Sequence, residues 1–250
     1  MNAPQDEHTG AHGMPGGLAI SAAGYTLRAN PTVFEPGRQE EFSVRILDEA
    51  GREVRNLDEQ HGQRMHLIVV RRDLMYYQHL HPSLNENGSW IVSFTLPEPG
   101  VYRAFADFTV DGMPLTLGVD LTAQGDLRYV PLPGPTNTAH TEGGYEVALE
   151  DAVTPVAGAE TALHFRVSRE GQDVEGLEPY LGAMGHLVAL REGDLAYLHV
   201  HPTGGSGSRI DFRAVFPSVG RYRLFLQFAH EGQVQTAAFT VEPEIELALV

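Results

Sequence analysis

Three histidines, His66, His79 and His81, recur as His186, His199 and His201, each displaced by the same 120 residues. The segments that carry them read MHLIVVRRDLMYYQHLHP (65–82) and GHLVALREGDLAYLHVHP (185–202). A fixed displacement over a long stretch marks an internal duplication. Core packing asks for apolar side chains at matched positions, not for three histidines. Three neutral imidazoles converging on one point suit Zn²⁺ or copper.

The spacing within each segment predicts a β-hairpin that would bring the rings together. With Arg72-Asp73 as a two-residue turn, His66 lies opposite His79; with Glu192-Gly193, His186 lies opposite His199. Opposed residues have Cβ atoms about 4.5–5.5 Å apart. His81 and His201 follow two residues later, on the same face and roughly 7 Å along the strand. That register also places Met184 opposite His201, where the first copy has Arg64 and Met65 points away. A thioether beside imidazoles leans toward copper, Cu(I) above all. The expected metal ligands are therefore His66, His79, His81, His186, His199, His201 and Met184. Pro82 and Pro202 end the hydrogen-bond ladder and set the site at the rim of its sheet. Two other readings stay open. The histidines could brace the fold through backbone carbonyls and Tyr77 or Tyr197, or they could meet an organic ligand.

Enzymatic readings fare worse. His79-x-His81 followed by Glu86 resembles the start of a cupin metal motif, but the second copy has no glutamate there. Zinc hydrolysis needs a carboxylate base beside the metal. Asp107 could serve, yet its counterpart is Gln227. No GxSxG, Walker loop or HExxH occurs, so no catalytic residue is expected and the chain reads as a non-enzyme. The expected cofactor is copper, with zinc or none as the alternative.

Composition narrows the partners. A net charge of −16 argues against nucleic acid and anionic membrane surfaces, which need clustered Lys and Arg. Absence of cysteine removes disulfides and thiolate ligands. No apolar run is long enough for a transmembrane helix. A metal ion is the expected partner, with a membrane metal transporter or another envelope protein as the protein partner. The start, MNAPQDEHTGAHGMPGG, lacks the apolar core of a signal peptide. The compartment is then periplasmic, cell-surface or secreted if a leader has been removed, and otherwise open.

The elements that must position the histidines are strands. Glu41-Phe42-Ser43-Val44-Arg45-Ile46 and Ala162-Leu163-His164-Phe165-Arg166-Val167 alternate with period two, the pattern of half-buried strands. The alignment slips by one residue here and recovers in the turns near Gly51 and Gly171. Asp111-Gly112 and Glu231-Gly232 are hairpin turn signals. Residues 1–23 read as a disordered tail in which His8, His12 and Met14 could capture copper. Residues 24–123 form the first repeat, the proline-rich residues 124–143 a linker, and residues 144–250 the second repeat. Each repeat is expected to be a β-sandwich of seven or eight short strands. The whole chain is then all-β, two tandem immunoglobulin-like sandwiches from one duplication.

Two resemblances bear on this. PEPGVY (97–102) and PSVGRY (217–222) resemble the stretch before the sixth strand of immunoglobulin-like domains, where a tyrosine hydroxyl bonds nearby backbone. With HLIVVRRDL…HLHP in one half and GHLVALREGDLAYLHVHP in the other, the chain also resembles bacterial cell-envelope proteins. In outline it is similar to small copper-handling β-sandwiches of the CopC and YtkA-like kind. That likeness implies metal storage, delivery or resistance in the envelope, and it transfers no ligand, because the histidine spacing here is different.

Overall fold

The computed structural model describes residues 9–10, 14–150, 154–200 and 202–245. Their regular structure is all strand. No described helix is long and apolar enough to cross a membrane. The chain divides into two compact units, Met1–Pro131 with Gly193–Tyr197 and Leu132–Glu192 with Leu198–Val250.

The principal strands of the first repeat are β1 (Tyr25–Asn30), β2 (Gln39–Leu47), β3 (His66–Arg71), β4 (Gln78–Leu80), β5 (Trp90–Thr95), β6 (Gly100–Val110) and β7 (Met113–Ala123). They build two sheets. One runs β1-β2-β5, with Ser21–Ala22 and Ser83–Leu84 at its edges; the other runs β7-β6-β3-β4, with Val33–Phe34 beside β7. The alternation in β2 sends Phe42, Val44 and Ile46 inward and leaves Glu41 and Arg45 exposed. Across the sandwich they share a core with Leu67 and Val69 of β3 and Tyr102, Ala104, Ala106 and Phe108 of β6.

The second repeat repeats this plan with β8 (Tyr145–Glu150), β9 (Glu160–Arg169), β10 (His186–Arg191), β11 (Tyr197–Val200), β12 (Arg209–Val215), β13 (Tyr222–His230) and β14 (Gln233–Val241). One sheet holds β8-β9-β12 and the other β11-β10-β13-β14. Leu163, Phe165 and Val167 pack against Leu187, Ala189, Leu224, Leu226 and Phe228. The chain is thus all-β, two tandem immunoglobulin-like sandwiches. The tyrosine motif behaves as its pattern implies. The Tyr102 hydroxyl donates to the Glu98 carbonyl at 2.9 Å, and that of Tyr222 to the Ser218 carbonyl at 3.2 Å. Burial pushes the Tyr102 pKa up to about 12.

Two expectations need correction. Residues 16–23 are not a free tail. The Gly17 N–H donates to the Thr116 carbonyl at 2.9 Å, and the Gly118 N–H to the Ala19 carbonyl at 2.9 Å. Arg103, nearly buried, donates to the Gly17 carbonyl at 3.1 and 2.7 Å and to the Leu18 carbonyl at 2.9 Å. A glycine-rich composition suggests disorder only while its backbone groups lack partners. The strand β7 and one arginine supply those partners. Residues 124–143 are likewise not all linker, because Thr138–His140 pairs with β8. His8 and His12 lie outside the described residues, as does the side chain of Met14.

Candidate metal centre

The hairpin that carries the first histidine set is two residues out of the expected register. Ile68, not His66, pairs with His79, and Leu67 pairs with Leu80. The cause is the connection. Residues 72–77 replace a two-residue turn, with Leu74 and Tyr76 at φ of +64° and +57°. The Asp73 carboxylate accepts from the Arg71 guanidinium at 2.9 and 2.7 Å, and both side chains are almost wholly buried. It also accepts from the Val130 N–H at 3.1 Å and the Met75 N–H at 3.4 Å. Burial alone would raise the Asp73 pKa; Arg71 and these N–H groups outweigh it and hold the carboxyl below its usual range. This ion pair fixes a longer loop than turn propensity suggests. The second copy also lacks the expected Glu192-Gly193 turn, since β10 ends at Arg191 and β11 begins at Tyr197.

A slip of two preserves the faces, because strand side chains alternate with period two. His66, His79 and His81 therefore still share one side of their sheet, opposite the core residues Leu67 and Val69. Ring centroids are 5.1 Å apart for His66–His79, 5.1 Å for His66–His81 and 4.7 Å for His79–His81. One nitrogen from each ring can be chosen so that all three lie within 4.8 Å of one another. A metal with bonds of about 2.0–2.1 Å to imidazole fits such a triangle after small rotations.

The hydrogen bonds assign the nitrogens. His66 Nε2 lies 3.3 Å from the Gln60 carbonyl, so it carries the proton and donates. The lone pair then sits on His66 Nδ1, which faces His79 Nε2 at 2.9 Å. His81 is half-buried, and its Nε2 is buried with no hydrogen-bond partner. Burial lowers the His81 pKa, which favours the neutral, ligating form.

The carbonyl that orients His66 comes from a feature the side-chain pattern does not announce. Gln60 and Gln63 exchange backbone hydrogen bonds of 2.7 and 2.9 Å around His61-Gly62, whose φ values are +51° and +74°. Both residues are left-handed, the signature of a type I′ turn. Tyr180 and Ala183 do the same around Leu181-Gly182, at φ of +53° and +77°. There the Tyr180 carbonyl accepts from His186 Nε2 at 3.0 Å. The backbone clamp thus repeats with the histidine, each six residues ahead of it. His61 itself lies 6.4 Å from the His66 ring, a neighbour that the sequence pattern did not single out.

Of the expected ligands of the second copy, His186 and Met184 are described. His186 is buried and clamped as described. His201 and the side chain of His199 lie outside the described residues. Met184 is half-buried and packs against the hydrophobic core of the second repeat. Its assignment to the histidine face came from extending the strand alternation backward. The strand begins only at His186, and Met184 sits in a bend before it, where that alternation no longer holds. Arg64, at the matched place, is exposed.

Beside His66, on the next strand, stands Asp107. The two pair directly across β3 and β6, so they share a face. Asp107 is buried and accepts a hydrogen bond from the Thr116 hydroxyl at 3.0 Å. In the second repeat Gln227 pairs with His186 and donates to the Thr236 hydroxyl at 3.3 Å.

Solved structures with similar strand arrangements include the Escherichia coli adhesin FdeC, at 14% identity and a TM-score of 0.32, with 90% of this chain and 66% of that chain covered. Invasin, a bacterial integrin-binding protein, matches at 11% identity and a TM-score of 0.27, over 89% and 39%. Escherichia coli alpha-2-macroglobulin matches at 14% identity and a TM-score of 0.31, over 88% and 20%. The chain spans under two thirds of each of these, and likeness at this level carries nothing about its chemistry. No curated protein matches the sequence. A family model does match, twice, over residues 20–125 and 139–244. The chain therefore belongs to the family described as domain of unknown function DUF8832, and it holds two copies of that domain.

Proposed function

We propose that the chain is a non-enzymatic metal-binding protein of the cell envelope, with a three-histidine site in its first repeat and a related site in its second. Storage, delivery or resistance would each use such a site. The reading is carried by one observation: three imidazoles that each offer a nitrogen within 4.8 Å of the others, in a cluster where His81 Nε2 is buried without a hydrogen-bond partner. A buried polar atom left unpaired costs about 1–3 kcal/mol, and a metal at the centre of the triangle would relieve it. Copper is the first choice and zinc the second, following the order of divalent affinities for nitrogen ligands. The envelope setting rests on the resemblance of the histidine segments to envelope proteins.

The competing reading, histidines that only brace the fold, is favoured by the His66–His79 and His66–Gln60 hydrogen bonds. Two measurements separate them. Untagged protein titrated with Cu²⁺ and with Zn²⁺ should bind, and His79→Ala should lower the stoichiometry by one ion. Affinity should fall as pH drops below about 6.5, where imidazoles protonate. His81→Leu should abolish first-repeat binding yet leave the metal-free protein as stable or more stable, because it removes an unpaired buried nitrogen. A bracing histidine would instead show clear destabilisation with no change in metal content.

A further inference from the structure

The two repeats share the histidine clamp but differ at the residue beside it. Asp107 faces His66 where Gln227 faces His186, on matched strands and with a threonine hydroxyl at hydrogen-bond distance in both. Asp107 also accepts from the Tyr197 hydroxyl at 3.1 Å. The carboxylate in the first repeat places a negative charge beside His66 where the second repeat has a neutral amide beside His186. It is 6% exposed, where solvent screens weakly.

Resting on the metal-binding reading above, we infer that Asp107 is a positioning residue for a divalent ion, and that the first repeat is built for M²⁺ in a way the second is not. The His66 lone pair points toward β4, to His79 Nε2, while Asp107 lies on the opposite flank, on β6. Asp107 thus acts through space and through His66, one to two strand spacings from the ion, about 5–10 Å. A fixed charge at that range attracts a cation in proportion to the cation's own charge. Loss of Asp107 should weaken Zn²⁺ by roughly the square of the factor by which it weakens Cu⁺, on the order of 30-fold against about fivefold. A structural role would reduce both by the same factor, since both ions use the same three imidazoles.

The test is a pair of competition titrations against chromophoric chelators, Zn²⁺ in air and Cu⁺ under ascorbate without oxygen. Wild type, Asp107→Asn and Asp107→Gln are compared, all in a His199→Ala background that removes the second site. Asp107→Gln copies the second repeat, which folds with glutamine at the matched position, so a variant remains if Asp107→Asn does not fold. A large Zn²⁺ loss with a small Cu⁺ loss supports the inference. Equal losses, or none, overturn it and leave the metal site intact, provided His79→Ala still abolishes binding. If the parent binds neither ion, the metal-binding reading falls and this inference falls with it.

Discussion

The hairpins of the two repeats answer the same architectural need in different ways. In the first, the Arg71 guanidinium is locked onto a buried carboxylate, Asp73. In the second, Arg191 meets the Ser218 hydroxyl, and Gly193 stands where Asp73 would be. On the adjoining strands, Arg103 is held by Asp120 at 2.9 Å and by the carbonyls of Gly17 and Leu18. Its counterpart Arg223 reaches the Thr240 hydroxyl at 3.0 Å and keeps a buried Nε without a hydrogen-bond partner. Gly118 completes the contrast. A Cβ there would meet the Gly17 carbonyl oxygen at 2.1 Å, whereas the second repeat has Ala238. The duplicated sandwich kept its core and its tyrosine corners, while the charged partners diverged. The first copy has carboxylates beside Arg71, Arg103 and His66. Beside the matched Arg191, Arg223 and His186 stand Ser218, Thr240 and Gln227.

The sharpest way to break that comparison is Asp73→Asn. It leaves Arg71 buried and uncompensated, a change that costs about 3–5 kcal/mol, measurable by urea unfolding. Asp73 also has a pH signature. Its folded pKa lies below the ordinary value of 3.8, so its stabilisation is present above about pH 4 and is lost as pH falls through the folded pKa. Asp73→Asn should flatten the acid limb of the stability curve below about pH 4. An unchanged limb would mean that the pair contributes nothing in solution.

The arginines should separate by a smaller margin. Arg103→Met removes charge-assisted bonds to two carbonyls and should cost about 2–3 kcal/mol. It should also raise hydrogen exchange at Gly118, whose N–H pairs with Ala19. Arg223→Met, in the second repeat, should be neutral or stabilise by about 1 kcal/mol, since it removes an unpaired buried donor. Equal losses would show that the two environments are equivalent after all. Smallest, and alike in the two copies, are Tyr102→Phe and Tyr222→Phe, each expected to cost about 1 kcal/mol for its backbone hydrogen bond. A large difference between those two would contradict a shared corner.

Much of this was legible in the residues. Alternation in β2 and β9, the matched PEPGVY and PSVGRY stretches and the displaced histidines lead to the duplicated sandwich and to the face that His66, His79 and His81 share. What escaped has a common cause, in that it depends on backbone groups or on long-range ion pairs. The hairpin register shifted because Asp73 turned inward to Arg71, a choice that turn propensity does not encode. Residues 16–23 gained order from Arg103, which lies far along the chain. Met184 left the histidine face because its backbone is bent before the strand begins. The Gln60 and Tyr180 carbonyls carry no side-chain signature. The left-handed pairs His61-Gly62 and Leu181-Gly182, five and four residues upstream of His66 and His186, are the trace that could have pointed to them.

That carbonyl clamp has a consequence for how fast and how tightly a ring can be seized. A free imidazole spins about two torsions and exchanges its proton between two nitrogens, and a ligand must freeze both motions. His66 has already surrendered them to Gln60, which holds the ring at one angle and in one tautomer. Its orientational entropy is lost when the chain folds rather than when an ion arrives, so capture becomes closer to a docking event than to an ordering event. Because the restraint comes from main chain, no side-chain substitution at position 60 can release it. Only a change that reshapes the turn, such as a bulky residue at the left-handed Gly62, would set the ring free.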